Sequence, residues 1–412
     1  MSEALSGWVG YILFLTVSTA IFALFSLGLN LQWGLTGLIN FGLVAFLSLG
    51  AYTTVILSLN GVTLLVAALA GAIVAALLGL LIGISTLRLR EDYLAIVTIG
   101  VSELIRLVVN NQELPTGNGV FTPGSFGLQG YALPLVNFEP NLLTKLIMIG
   151  ILTVITGVSC WQLWRWMGNK GALAQGLGDR GRGAEGQRGR GAEEKIQSPL
   201  IQNPKSKITL PFLSRLILGI VVTVLIFVVY GAGVIGLYNY TNFEKAGLML
   251  LSLLVLALVV WRLEFLARSP WGRVLKSIRE DEEVARALGK NVFWYKLQSL
   301  MLGGAIAGLA GALYAWQQTS IYPSDFDPLV TFNAWIVVVL GGAGNNFGTI
   351  LGAVIYFAYD SITRFVLPGI VPLDQVRLSA FRIMVIGLIL MLLMIWRPQG
   401  ILGNKKELTL GK

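Results

Sequence analysis

Residues 62–87 read VTLLVAALAGAIVAALLGLLIGISTL, twenty-six positions without one charge. A helix needs about 20 consecutive apolar residues to cross a hydrocarbon core about 30 Å thick. Spanning structures are limited to helices and closed barrels, because every backbone polar group must find a partner without water. A barrel strand would alternate apolar and polar residues over about 10 positions. This stretch is apolar on all sides, so it reads as a membrane-spanning helix.

Other stretches read the same way. The full set falls near 9–30, 38–59, 62–87, 93–110, 142–164, 212–235, 243–263, 296–316, 331–343, 347–367 and 376–396. The expectation is an all-α polytopic membrane protein with about eleven spans, ten to twelve. The ninth stretch is short and the tenth begins in a Gly-rich break, so this pair also reads as a re-entrant unit. Composition agrees: the 412 residues are 55% hydrophobic and 12% charged, against about 25% charged in soluble domains.

The same composition excludes much chemistry. With no histidine and the single cysteine Cys160, histidine- or cysteine-built metal sites, Ser–His catalysis and an internal disulfide are ruled out. No G-x-x-x-x-G-K-[ST] loop occurs, so the chain has no P-loop for ATP phosphates. The chain is expected to be no enzyme and to hold no cofactor. Any ATP would be bound by another chain. No basic stretch precedes the first apolar segment, so no signal peptide is expected.

Charge placement orients the spans. With the loops after the odd-numbered spans through the ninth, and the C-terminus, on one side, 24 of the 30 Lys and Arg residues fall there. These are Arg88 and Arg90, ten between Arg165 and Arg215, eight between Arg262 and Lys296, and four from Arg397 on. The positive-inside rule makes that side, with the C-terminus and the charged loop, cytoplasmic, and puts the N-terminus outside. The net charge of +9 is thereby explained without a nucleic-acid partner.

The chain divides into N-terminal spans (1–164), a basic low-complexity linker (165–211) and C-terminal spans (212–412) that include a charged loop at 268–291. The linker carries GRGAE twice, at 181–185 and 189–193, and is too poor in large apolar residues to form a core. It lacks the interleaved aromatics of a nucleic-acid binder. A passive connection is the simplest reading, with attraction to anionic membrane lipid as the alternative.

The charged loop contains IREDEEVARALGK (278–290), with six charges in its first nine residues. Each costs roughly 2.5–3.5 kcal/mol at the centre of an inserted helix, so this stretch lies outside hydrocarbon. Ser269 and Pro270 make a helix start and Gly289 a stop. Between them Trp271, Val274, Leu275, Ile278, Ala285 and Leu288 recur at helical steps, predicting one amphipathic helix of about eighteen residues. Such a helix either merely connects two spans or docks on a membrane surface or partner groove.

Within the spans, Glu103 and Arg106 are three apart and can pair on one helix face. Ionisable residues at membrane depth mark candidate substrate paths, against the reading that they only orient the span. Asp360 and Arg364 read as an interfacial structural pair; Arg382 has no evident partner in sequence. Glycines at 303, 304, 308 and 311 suit close helix packing. The break at Gly341, Gly342 and Gly344 suits either packing or a path-lining turn.

Glu283-Val284-Ala285-x-x-x-Gly289 resembles the E-A-A-x-x-x-G signature in the coupling loop of ATP-binding-cassette importer permeases, with Val for the first Ala. The surrounding SPWGRVLKSIREDEEVARALGKNVFWYKL (269–297) resembles the branched-chain amino-acid permeases of the LivM type. So do AGLAGALYA (307–315), VVLGGAGNNFGTILGA (338–353), RPQGILG (397–403), GLTGLINFGLVAFLSLGAYTT (34–54) and LRLREDYLAIVTIGVSELIRLV (87–108). Three departures stand out: an added pair of spans around the basic linker, no Leu-Pro after Gly289, and TGNG at 116–119. The insertion is similar to that of cyanobacterial neutral amino-acid permeases.

The resemblance implies a cytoplasmic coupling helix moved by cytosolic ATPase subunits, with Arg279, Glu283, Ala285 and Gly289 as its coupling residues. It also implies a second, LivH-like permease subunit and an external, periplasmic substrate-binding protein. The cargo would be a branched-chain or neutral amino acid. A urea importer permease shares the pattern. An ion-coupled secondary transporter, needing no ATPase, is the alternative from another class.

Overall fold

The computed structural model describes residues 2–87, 91–117, 119–135, 141–168, 244–370, 374–396 and 399–403, with scattered positions between 219 and 234. Most of the basic linker and of the stretch 212–235 lies outside the described residues. The helices are α1 (Ser2–Leu29), α2 (Leu43–Leu59), α3 (Leu64–Thr86), α4 (Glu91–Asn111) and α5 (Leu142–Gly168). After the linker come α6 (Glu244–Arg268), α7 (Pro270–Glu280), α8 (Glu282–Ala287), α9 (Val292–Gln318), α10 (Leu329–Gly341), α11 (Asn346–Ile370) and α12 (Gln375–Trp396).

Five of these are long and apolar enough to cross a membrane: Gly10–Leu35, Leu64–Thr86, Tyr93–Asn111, Gly247–Arg268 and Val292–Gln318. The pair Leu329–Gly341 and Asn346–Arg364, bent by 116° at its break, can be counted as a sixth. The protein is therefore an all-α multi-pass membrane protein. The expectation of about eleven spans is not reached among the described residues. Two apolar stretches form the single bent pair, and α2, α5 and α12 hold only shorter apolar helices.

In the 62–87 stretch, α3 sorts its residues by size. Ala67, Gly71, Ala75 and Gly79 point inward at four-residue steps, while Leu65, Leu69, Ile73, Leu77 and Leu81 are each more than half exposed. Lipid tails are as apolar as leucine, so large side chains gain little by turning inward, and small ones let backbones approach.

The approach is made on α9, the central helix, which packs against α1, α2 and α3. A Cβ on Gly28 would stand 2.6 Å from the Gly303 carbonyl oxygen, and one on Gly50 or Gly311 would collide with the backbone of the neighbouring helix. The glycines of 303–311 are thus packing residues.

Helices from both ends of the sequence form one compact unit, Met1–Met148 with Gly236–Lys412. Ile149–Ile235 forms a second unit, within which Thr153 Oγ1 and Tyr230 Oη lie 2.8 Å apart.

Two short β-pairings order the connections opposite the charged loop along α9. Residues 113–115 pair with 121–123, and Leu128 and Gln129 pair with Ile321 and Ser320 just past α9.

The apolar stretch from residue 38 is not helical until Leu43. Instead α1 widens into a π-helix, Asn30–Leu35, and residues 36–42 run as irregular chain before α2. Gly37, at φ +84°, makes the turn. Irregular backbone within a membrane protein's helical body needs protein partners, and they are supplied locally. Phe41 N donates to Thr98 Oγ1 at 3.2 Å, Gly42 N to Asn40 Oδ1 at 2.9 Å and Val44 N to Thr331 Oγ1 at 3.0 Å.

Candidate functional site: the charged elbow between α6 and α9

The 268–291 loop starts as its sequence suggests. Ser269 caps α7 by accepting from Gly272 N at 3.4 Å, with Pro270 in the first helical turn. The expected single helix does not persist. Asp281 takes extended dihedrals (φ −157°, ψ 108°), ends α7 and caps α8, its Oδ1 accepting from Val284 N at 3.0 Å. A short carboxylate competes for backbone donors better than it continues a helix, and here it sits between Glu280 and Glu282. The result is an elbow of two short helices.

The predicted apolar stripe is divided accordingly. Leu275, Ile278 and Ala285 are buried, whereas Leu288 is 71% exposed. Ile278, Ala285 and Val292 form a small core with Val274 and Tyr295. Ala285 is therefore small because the elbow folds onto the start of α9, where a longer side chain would find no room. Gly289 closes α8 at φ +75°, its N–H donating to Arg286 O at 3.0 Å while Lys290 N donates to Ala285 O at 3.2 Å. This is a left-handed helix stop of the kind glycine favours. Open space surrounds the position a Gly289 Cβ would take.

Ion pairs fix the inner side of the elbow. Lys296 Nζ, on α9 and almost wholly buried, meets Glu282 Oε2 at 2.6 Å, and Arg286 Nη2 meets Glu282 Oε1 at 2.7 Å. Trp271 Nε1 donates to Gln298 Oε1 at 2.7 Å. Arg279 Nη1 donates to Gly34 O in the π-helix, and its stem packs on the turn at Gly37. The outer side presents Glu280, Glu283, Arg286 and Lys290 around the exposed apolar side chains of Val284, Leu288 and Trp294. Apolar side chains ringed by charge on a water-compatible element are the anatomy of a docking face.

Of the four coupling residues expected from sequence, Glu283 and Gly289 thus lie on the outward side, Ala285 lies inside, and Arg279 reaches from α7 to the π-helix. The four candidate path residues fall in two places. On α4, Arg106 Nε donates to Glu103 Oε2 at 2.9 Å and Arg106 Nη2 meets Glu103 Oε1 at 2.5 Å, with both side chains partly exposed. Gly341 and Gly342 are buried at the break between α10 and α11.

That break is clamped by the chain's last described residues. Ile401 N donates to Leu340 O at 3.0 Å, Leu402 N to Gly341 O at 2.9 Å, and Asn345 Nδ2 to Leu402 O at 2.9 Å. Arg382, without an evident partner in sequence, finds Asp360 Oδ1 at 3.6 Å, and Arg364 Nε meets Asp360 Oδ2 at 2.8 Å.

Sequence reasoning missed a buried polar group behind the elbow. Asn30, Gln32 and Asn40 are 0% exposed. Four polar residues spaced through GLNLQWGLTGLIN (28–40) are the signal that could have revealed it, because polar groups at depth are costly unless partnered.

Comparisons with known proteins bear on this architecture. No solved structure matches the chain. The LivM permease protein of the high-affinity branched-chain amino acid transport system of Escherichia coli K12 is 27% identical over 390 residues, 93% of this chain and 68% of that protein. Its Salmonella typhimurium counterpart is 28% identical over the same shares. A probable branched-chain amino acid permease LivM from Methanocaldococcus jannaschii is 28% identical over 223 residues, 50% of this chain and 64% of that protein. The family model described as branched-chain amino acid transport system / permease component matches residues 11–172 and 195–394. With that model spanning the core helices and the elbow alike, this chain belongs to the branched-chain amino-acid transport permease family and is a transporter component of the LivM type, not an enzyme.

Proposed function

We propose that the chain is the transmembrane subunit of an ATP-driven importer carrying branched-chain or neutral amino acids across a bacterial inner membrane. The observation that carries this reading is the two-sided elbow. Its inner side is fastened to α9 and the π-helix, so it cannot move without them, and its outer side offers Val284, Leu288 and Trp294 among charges. Cytosolic ATPase subunits would bind the outer side and hold the ATP, leaving this chain with no cofactor. Its C-terminus would then be cytoplasmic.

Glu283 and Gly289 would shape the docking face, Ala285 the fold of the elbow, and Arg279 the link inward. Glu103 and Arg106 offer complementary charges to a zwitterionic substrate, and the Gly341–Gly342 turn would shape the end of its path. A second, LivH-like permease subunit would complete the pore, and an external binding protein would deliver cargo; the relatives' names support the cargo class. The exposed ridge of α3 suits lipid or that second subunit.

Reconstitution in lipid vesicles tests the reading. With all partners present, ATP hydrolysis should rise when loaded binding protein is added, and labelled leucine should accumulate only with ATP. Uptake driven by an ion gradient through this chain alone would overturn it.

A further inference from the structure

The polar group behind the elbow forms a connected set of bonds around the π-helix, and its route is specific. Arg279, on the elbow, donates to Gly34 O in the π-helix. Asn30, at the first position of that π-helix, accepts from Gly344 N at 2.8 Å and donates to Asn346 Oδ1 at 3.1 Å. Both partners belong to the break between α10 and α11. Asn346 Nδ2 in turn donates to Glu264 Oε2 at 3.3 Å, at the end of α6 one turn before the elbow begins.

A second branch serves the other flank. Gln32 Nε2 donates to Leu300 O at 3.1 Å, and Ser299 Oγ lies 2.7 Å from Thr36 Oγ1, both about two turns into α9. Gln32 Oε1 accepts from Asn40 Nδ2 at 2.8 Å, and Asn40 O accepts from Trp335 Nε1 on α10 at 3.1 Å.

Packing alone would be served by small or apolar residues at these sites, since a buried amide requires all its partners at once. π-Helical turns are rare and are found disproportionately at functional positions, because the wider turn leaves the backbone able to change register. Here the elbow through Arg279 and α9 through Leu300 bond to this one element directly, and α6 reaches it through Glu264 and Asn346, while Asn30 also holds the turn at Gly344.

We infer that the π-helix Asn30–Leu35 is the hinge through which elbow movement reaches the α10–α11 break, with Asn30, Gln32 and Asn346 as positioning residues for transport. This rests on the importer reading given above. The hinge moves as a unit: displacement of the elbow drags Gly34, rotates Asn30 and loads the turn at Gly344.

The complete importer in vesicles provides the test, with binding-protein-stimulated ATP hydrolysis and leucine uptake measured on one preparation. Wild type must show both; absence of stimulation there would refute the importer reading and overturn the hinge with it, whereas a failure confined to the variants' predicted uncoupling would overturn the hinge alone. Asn30→Leu and Gln32→Leu should each cut uptake per ATP at least tenfold while hydrolysis stays within twofold. Asn346→Asp places a carboxylate against Glu264 and should uncouple likewise, and Glu264→Gln in that background should restore coupling, because the new amide donates to the aspartate. This pair keeps the site polar, so it decides the matter even if Asn30→Leu fails to assemble. Unchanged uptake per ATP in Asn346→Asp, or hydrolysis and uptake falling and recovering in equal proportion, would show a merely structural network and overturn the hinge.

Discussion

Gly289 offers a way to separate backbone geometry from docking. Its φ of +75° is strained for any residue with a Cβ, at about 1–2 kcal/mol. Nothing lies within 4 Å of where that Cβ would stand, so Gly289→Ala incurs the backbone term and no clash. The turn is also held by the Ile278–Ala285–Val292 core and by the bond from Lys290 N to Ala285 O. A loss of about 1 kcal/mol against a typical stability of 5–15 kcal/mol leaves the elbow folded. Gly289→Ala should therefore keep uptake within about threefold of wild type, less than the tenfold that 1.4 kcal/mol represents. Gly289→Trp carries the same backbone cost but places an indole beside Leu288, on the proposed docking face. Uptake should fall about 100-fold or more, equivalent to about 2.7 kcal/mol of lost association, while the melting temperature matches that of Gly289→Ala. ATPase retention on the detergent-solubilised subunit, measured beside uptake, is the assay. Equal uptake by the two variants would refute the docking assignment, and loss of uptake in Gly289→Ala would show that the turn itself is what matters.

Three further outcomes follow from the described contacts. Glu282→Gln takes from the buried Lys296 ammonium the carboxylate that it meets at 2.6 Å and should destabilise the subunit by about 1–3 kcal/mol. Lys296→Met should cost less, since Glu282 is a third exposed and keeps Arg286; thermal unfolding of both in one detergent checks the order. Truncation before Gln399 removes three hydrogen bonds from the Leu340–Asn345 turn, about 3 kcal/mol in sum at about 1 kcal/mol each, and should expose that turn to hydrogen exchange. Asp325, in the turn after α9, has its carboxyl raised above the ordinary range by burial, opposed by the bond from Tyr322 N. A raised acid binds protons more readily folded than unfolded, so its burial costs stability in full only above the folded pKa, and the cost fades as pH falls through it. Asp325→Asn should therefore raise the melting temperature at pH 7 and converge with wild type in acid; a constant difference across pH would contradict this.

Much of the architecture is legible because it is local. Uncharged runs long enough to cross a membrane became helices, and Ser269–Pro270 began a helix where capping chemistry says one begins. The elbow's break was hidden by an accident of phase. Ile278 and Ala285 are seven residues apart, two helical turns, so their spacing fits a continuous helix as well as two helices folded onto one core. The cap at Asp281 was the competing local signal, and it prevailed because acids crowd residues 280–283.

The π-helix was not legible for a different reason. Asn30, Gln32 and Asn40 acquire meaning only from Asn346, Leu300 and Trp335, more than 260 residues further along the chain. Arg382 likewise waited on Asp360. Periodicity reports which face a residue occupies; it carries no information about which distant backbone will arrive there.

That distinction sharpens what the coupling signature asks of each residue, and it can be tested at two neighbouring positions. Ala285 is 0% exposed against Ile278 and Val292, so Ala285→Leu overpacks the elbow at a cost of about 1–3 kcal/mol. Glu283, two residues earlier, faces outward, and Glu283→Lys should leave stability within about 0.5 kcal/mol of wild type. Both should lower uptake, by different routes. In Ala285→Leu the elbow loosens, protease reaches 281–290 sooner, and added salt changes nothing. In Glu283→Lys the elbow keeps its protection while ATPase binding weakens, with a salt dependence different from wild type because a surface charge has been inverted. If Glu283→Lys instead lowered the melting temperature as Ala285→Leu does, the two-sided elbow would be wrong, since a side chain in water on one face of α8 has no means of disturbing the core on the other.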